Sequence, residues 1–379
     1  MYRTYLMTLL AAFALVVAAC GSSTDDNAES AESTSASASE PAEASTETTE
    51  AAEEADVATG DEPRSVRLIT HDSFALSDGT LAAFTAETGI EVELLQGGDA
   101  GEVVAKAILS VGAPEADVLF GIDNTFLQRG LDAELFVPYE SPTLASVPDE
   151  LELDQGEFRV TPIDFGHVCV NYWTESVPGG SAPTSLDDLT APDFASSFVT
   201  QDPESSSPGF AFLLATIAAY GDGWEDYWQQ LADNGVTVTS GWSDAYYGEF
   251  VAGGGEKAIV TSYASSPVAE VLFADPPVDA PPTGVVLDSC FRQIEFAGIL
   301  AGTERQAEAE ALIDFMLSDT FQADIPLNMF VAPANADVPL PEVYLDHDAA
   351  PTDYWTLMPA EIEANRADWT ERWREIVLG

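Results

Sequence analysis

Residues 65–124 read SVRLITHDSFALSDGTLAAFTAETGIEVELLQGGDAGEVVAKAILSVGAPEADVLFGIDN. Ser65–Thr70 is rich in β-branched and apolar residues and reads as a strand. Thr80–Thr88 has helical spacing and stops at Gly89, a residue that tolerates the left-handed conformation ending many helices. Ile90–Leu95 alternates as a strand does, and 97–101 is a glycine-rich turn. Glu102–Val111 places Val103, Val104, Ala107, Ile108 and Val111 on one helical face. Ala116–Phe120 is a third strand, running out through Gly121 to Asp123 and Asn124. Strands that alternate with helices in this way predict an α/β fold with a largely parallel sheet.

The alternation continues less regularly. Val160–Ile163, Asp164–Gly166 and His167–Tyr172 join into one long strand that would cross between two lobes. Residues 183–234 read as three helical stretches. In one of them Trp224, Tyr227, Trp228 and Leu231 share a face, which is the pattern of a packed core helix. Val236–Thr239, Ala258–Tyr263 and Val285–Phe296 are further strands. Ser266-Pro267 opens a helix, and 275–283 is a proline-rich loop. Glu304–Leu317 and Ala360–Val377 are amphipathic, the latter with Ile362, Trp369, Trp373 and Ile376 along one stripe. No internal repeat is visible.

The chain has 379 residues, enough for two domains with real cores, and 66 acids against 12 bases give a net charge of −54. Such a surface has no basic patch with which to neutralise phosphates, so nucleic acid is excluded as a partner, and anionic lipid is disfavoured. Lys106 and Lys257 are the only lysines. Residues 1–20 have the form of a secretory signal, with Arg3 ahead of an apolar run from Leu6 to Val17. That run ends in Val17-Ala-Ala-Cys20, which resembles the bacterial lipobox, so Cys20 is expected to carry a lipid anchor. Residues 21–63 are Ala, Ser, Thr and acids without a base, a composition expected to form a disordered tether.

Chemistry concentrates in a second stretch, Thr239–Phe250, TSGWSDAYYGEF. A strand feeds it, Ser240-Gly241 turns it, and Trp242, Tyr246 and Tyr247 follow. Aromatics delivered at a strand end face a cleft in many α/β proteins, though a lone tryptophan is more often core. Ser205-Ser-Ser-Pro-Gly209 has the residues of a capped helix start, with Ser206 in the cap region and Pro208 in the first turn. It would serve either as a simple cap or as a cradle of N–H groups and hydroxyls for a phosphate. With Cys20 assigned to the leader, Cys169 and Cys290 remain as one possible disulfide. Two buried thiols are the alternative.

Five motifs in this order are similar to the thiamine-binding proteins of bacterial ABC importers. They are His71-Asp-Ser-Phe74, the run Ala116–Asn124, Gln201-Asp-Pro through Pro208-Gly209, Thr237–Tyr246 with its Gly-Trp-Ser-Asp-Ala-Tyr core, and Ser262-Tyr263 through Ser266-Pro267. The resemblance runs from about residue 65 to the C-terminus. It implies a type II periplasmic-binding-protein fold, two α/β lobes joined by crossover hinge strands. The expected division is 64–165 with 292–345 as one lobe, 166–291 as the other, and 346–379 as a helical segment packed on both. It also implies a ligand set: His71 (where the family commonly has Tyr), Asp99, Asp123, Asn124, Ser206, Trp242, Tyr246, Tyr263 and Phe330 (where the family has Trp).

Thiamine joins a flat aminopyrimidine to a cationic thiazolium. Aromatic faces would stack on it and attract its charge, and carboxylates would balance that charge. The reading is therefore an extracytoplasmic lipoprotein, a monomer and not an enzyme. It would need no cofactor or resident metal. It would capture thiamine, with phosphate esters left open, and pass it to separate permease and ATPase chains. The alternative is a ferric-iron binder using Tyr246, Tyr247, His71 and acids. A secreted serine hydrolase is weaker, since Ser206 has no evident base near it in sequence.

Overall fold

A computed structural model describes residues 64–379; the leader, Cys20 and the tether expected from the sequence lie outside the described residues. Ten strands form one sheet: β1 (Arg64–Thr70), β2 (Ile90–Gln96), β3 (Val118–Asp123), β4 (Phe136–Val137), β5 (Thr161–Trp173), β6 (Phe198–Gln201), β7 (Thr237–Thr239), β8 (Ile259–Tyr263), β9 (Thr283–Leu300) and β10 (Ala332–Pro333). The order is β2-β1-β3-β9-β5-β8-β6-β7, with β4 on β9 and β10 on β5. The sheet is mixed, because β3, β9, β5 and β8 run antiparallel to one another while β2-β1-β3 and β8-β6-β7 are parallel triplets. The largely parallel sheet expected from the alternation thus holds within each triplet. It is interrupted where the two longest strands cross the middle.

β5 and β9 are those crossing strands, and their lengths carry them through both halves. Near one end Trp173 pairs with Thr283, and toward the other Thr161 pairs with Ala297. The ladder slips between Val168 and Val170, where Cys169 stands. There the Val170 N–H donates to Ser289 Oγ at 2.7 Å, so a side chain replaces a missing backbone acceptor. Cys169 and Cys290 are disulfide-bonded at this slip, with Cα atoms 4.2 Å apart. The pairing left open by the cysteine count is therefore settled in favour of the bridge.

The helices form where the sequence places their signals. Gly89 ends Thr80–Thr88 in the left-handed region at φ 70°, its N–H bonded to Thr85 O. The next helix runs Ala100–Leu109, two residues earlier than its apolar periodicity suggested, because the Asp99 carboxylate caps it. The region 183–234 departs further from expectation. It contains the helices Ser207–Tyr220 and Trp224–Asp233, three short 3-10 turns, and the strand β6, which pattern reading missed. β6 has four residues, all buried, so it carries no alternation to distinguish it from its neighbours.

One large apolar core runs through the described residues, with two smaller buried clusters beside it, around Tyr246 and Phe250 and around the disulfide. Ser207–Tyr220 is buried on every side from Ser207 to Thr216, which explains why its sequence shows no polar face. Trp228 is buried in contact with Trp373 of the helix Pro359–Val377, ring centroids 5.5 Å apart. Arg366 of that last helix lies between the Phe126 and Phe210 rings, at 4.2 and 4.0 Å from their centroids, and donates to Thr125 O. Burial among these rings lowers its pKa to about 10, with the Glu363 carboxylate acting in the opposite direction.

Candidate functional site

The C-terminal ends of the parallel triplets converge on one place. From one side come His71 after β1, Asp99 before the helix Ala100–Leu109, and Asp123 at the end of β3. From the other come the start of the helix Ser207–Tyr220 after β6, Trp242 after β7, and Tyr263 at the end of β8. Ends of parallel strands leave backbone and loop groups facing outward together, which is why α/β proteins place ligands there.

Asp99 joins the two sides. Its Oδ1 accepts from Ala100 N at 2.6 Å and from Ser207 N at 3.2 Å, and its Oδ2 accepts from Trp242 N at 2.9 Å. A helix N-terminus and a turn from the far side thus meet one carboxylate. The approach is close: a Cβ added to Gly101 would stand 2.6 Å from Ser205 O, so glycine is required there. Burial raises the Asp99 pKa, against the hydrogen bonds it accepts.

Asp123 is wholly buried. Its Oδ1 accepts from Thr125 N and Thr125 Oγ1, and its Oδ2 accepts from Gln293 Nε2 at 2.9 Å and from the Ser207 hydroxyl. Burial raises its pKa too. Asn124, expected beside it as a ligand residue, spends its carboxamide on the hinge. It donates to Arg292 O at 3.1 Å and accepts from Ile294 N at 2.8 Å, acting as an extra rung against β9. Ser206 is buried and accepts from Gly209 N as the helix cap. Its neighbour Ser207 is the serine that reaches across to Asp123.

The aromatic wall is built around Trp242, which is half-buried. Its indole N–H donates to Ser262 Oγ at 2.9 Å, and its ring stacks on Tyr246 with centroids 5.0 Å apart and planes 21° from parallel. Tyr263 stands edge-on to it at 6.3 Å. Tyr246 lies behind this wall: it is buried with Phe250, Val199 and Val260, and its hydroxyl donates to Glu270 at 2.6 Å. Tyr247 is 62% exposed. Phe330 sits at φ 56°, half-buried, edge-on to Phe273 at 5.7 Å.

Three groups absent from the sequence expectation complete the site. Glu295 of β9 pairs in register with Asp123 of β3 on one side and with Asp164 of β5 on the other. Three acids therefore lie in a row across three neighbouring strands, all buried. Directly opposed like charges are unfavourable, and burial sharpens that. Neither Asp164 oxygen accepts from a backbone or side-chain N–H. Burial, followed by the Glu295 charge and hydrogen bond, pushes its pKa well above the carboxylate range. Burial beside Glu295 thus favours the protonated form of Asp164. The third group, Gln293, donates to both Asp123 and Ser207 and lies two residues from Glu295 on the same strand face. The available signal was this spacing: polar residues at 293 and 295 in a strand crossing the middle of the molecule cannot both face water.

His71 faces Glu295 across the site. Its ring fits against Gly121, where a Cβ would collide with it, and Gly121 sits at φ 96°. Nδ1 is 2.9 Å from Ser73 Oγ, and Nε2 is 3.4 Å from Glu295 Oε1, an ion-pair distance without hydrogen-bond geometry. Burial works against a charged ring, but the Glu295 carboxylate and then the charges of Asp99 and Asp72 outweigh it, and the pKa is raised. Glu295 shows the reciprocal effect. Burial opposes its charge, yet His71 and Asp164 hold its pKa below the ordinary value. The Tyr263 hydroxyl lies within reach of the same charges: burial and then Glu295, Asp99 and Asp123 drive its pKa far upward.

Residues 113–351 match the family described as bacterial extracellular solute-binding protein. The thiamine-binding periplasmic protein of Salmonella typhimurium is 30% identical over 315 residues, covering 81% of this chain and 92% of that protein. A solved periplasmic thiamin-binding protein superposes with a TM-score of 0.73 at 28% identity, over 83% of this chain and 96% of that one. An iron-bound binding protein from Pseudomonas aeruginosa superposes with a TM-score of 0.65 at 20% identity, over 83% and 99%, which shows a shared fold alone.

Proposed function

The chain belongs to the bacterial extracellular solute-binding proteins, and from that membership we propose that it captures thiamine and delivers it to an ABC importer. The observation that carries this reading is the juxtaposition of an aromatic wall with buried carboxylates. Trp242 and Tyr263 stand beside Asp99, Asp123 and Glu295, and the Tyr263 hydroxyl feels all three. A flat heteroaromatic cation needs this pair of features: a face to stack on and a negative field. The ligand-binding residues are His71, Asp99, Asp123, Trp242, Tyr263 and Phe330. Tyr246 backs the wall, Ser206 caps the adjoining helix, and Asn124 fixes the hinge.

The lobes of this reading are 64–165 with 292–345, and 166–291, with 346–379 packed on both. β5 and β9 are the hinge, and the disulfide ties them where they cross without bridging the two ligand-facing sides. Ligand held between the lobes stabilises the closed population, and that closed shape is what a permease recognises. Anchoring through a lipid on Cys20 and a monomeric state complete the proposal.

The iron reading is disfavoured by the tyrosines. Tyr246 spends its hydroxyl on Glu270, and Tyr247 points outward, so the two phenolates do not converge. No group of three or more His, Cys, Asp or Glu side chains placed to hold a metal ion occurs among the described residues. The hydrolase reading is disfavoured by Ser206, whose hydroxyl is buried at a helix start between the Gly209 N–H and the Asp99 carboxylate. Isothermal calorimetry on the purified protein tests the proposal. One-to-one thiamine binding at micromolar affinity or tighter is expected. No thiamine binding, with tight Fe³⁺ uptake and a visible charge-transfer band, would overturn it.

A further inference from the structure

We propose that Glu295 is the counter-ion for the positive charge of the ligand, and that binding releases the proton His71 holds against it. The proposal rests on the thiamine reading only for the identity of the cation. Its basis is the charge arrangement on the floor of the site. Among the described residues, His71 is the cationic group paired with Glu295. The groups facing the ring are Glu295 from β9, Asp99 from the cap of the helix Ala100–Leu109, and Asp72 from its own loop. Behind Glu295 lie Asp123 on β3 and Asp164 on β5, and the Tyr263 hydroxyl approaches from β8.

In the ligand-free state the imidazolium compensates Glu295. A monocation entering beside Tyr263 and Trp242 supplies the same compensation, and two positive charges around one buried carboxylate repel each other. The ring can leave its charge without leaving its place. Nε2–H keeps its contact with Glu295 while Nδ1 gives up its proton to solvent. The Ser73 hydroxyl then turns from acceptor to donor, which a hydroxyl can do at the observed 2.9 Å. Ser73 is half-buried, on the side of the ring away from Glu295, and so offers the route out. The cleft therefore exchanges a proton for a cation, and its affinity depends on pH in a defined direction. Below the His71 pKa the incoming cation must displace a proton, so affinity falls about tenfold for each unit of pH lost there. Above it, affinity is flat.

The test has a ligand-free arm and a ligand arm. In the free protein, proton NMR of the histidine ring signals, with His71 assigned by His71→Gln, should show His71 titrating above the ordinary histidine value of about 6.5. Glu295→Gln should bring that titration down. An unshifted His71 overturns the proposal whether or not thiamine binds. In the second arm, calorimetry with thiamine between pH 5.5 and 8, in two buffers of different ionisation enthalpy, counts the protons exchanged. About one proton released per thiamine at the acid end is expected, falling toward none at pH 8. His71→Gln should abolish the release and flatten the affinity profile, and Glu295→Gln should weaken thiamine binding at least tenfold at every pH. Thiamine binding without proton release, or undiminished binding to Glu295→Gln, overturns the proposal. No heat with thiamine at any pH, while His71 still titrates high, overturns the ligand reading and this exchange with it.

Discussion

Substituting Trp242 by alanine deletes an indole and keeps the backbone N–H that donates to Asp99 at 2.9 Å. On the ligand side the loss is one stacking face, worth about 1 kcal/mol, and its attraction for a cation, worth about 1–2 kcal/mol in a desolvated cleft. Together these give about 2–3 kcal/mol, or roughly 100-fold in affinity. On the folding side the loss is smaller. The indole is half-buried, and its main partner, Tyr246, stays packed against Phe250 with its hydroxyl on Glu270. The acceptor of the indole N–H is not orphaned either, because Ser262 Oγ also bonds Ser266 Oγ at 2.8 Å. The cost to stability is about 1–2 kcal/mol, a shift of a few degrees in Tm for a body of this size. Calorimetry and thermal unfolding on the same samples separate the two effects. A Kd within threefold of the parent protein would refute the placement of the wall. So would an affinity loss that appears only together with a collapse in Tm.

Removing the disulfide with Cys169→Ala and Cys290→Ala opens a loop with a sequence separation of 121 residues. It should lower stability by about 2–4 kcal/mol, read as a lower Tm in non-reducing buffer, and an unchanged Tm would show that the bridge contributes nothing. Asp164→Asn tests the protonated form of Asp164 favoured beside Glu295. The folded-state pKa of Asp164 is raised, so its contribution to stability is present below the ordinary carboxylate value and is lost as pH rises through the raised value. Asparagine keeps a donor toward Glu295 and does not titrate. The variant should therefore gain in Tm relative to the parent as pH rises from 4 to 8, and parallel profiles across that range would refute a buried proton at this position.

The site divides into parts that could and could not be read in advance. Asp99, Asp123 and Trp242 were legible because each follows a strand or begins a helix, and strand ends are recognisable from local pattern. Asn124 was legible as a neighbour but not as a hinge rung, since its partners Arg292 and Ile294 are far away in the chain. The two serines at the helix start show the same limit at shorter range. One residue along a helix is a rotation of about 100°, and the local pattern does not say which of Ser206 and Ser207 faces Asp123. The structure selects Ser207.

By itself the sequence determined the class of the fold, the ends of most helices, the long crossing strands, the one available cysteine pair and the aromatic turn at 239–250. These follow from local propensity and periodicity, which a chain carries wherever it is. Only the tertiary structure decided the register of β9 between β3 and β5, and the charge state of the site follows from that register. A slip of one residue would turn Glu295 to the other face of the sheet and leave Asp123 and Asp164 without it. No local pattern contains that information. It is set by the packing of both halves around the crossing strands, and with it come the raised pKa of Asp164 and of His71 and the lowered pKa of Glu295.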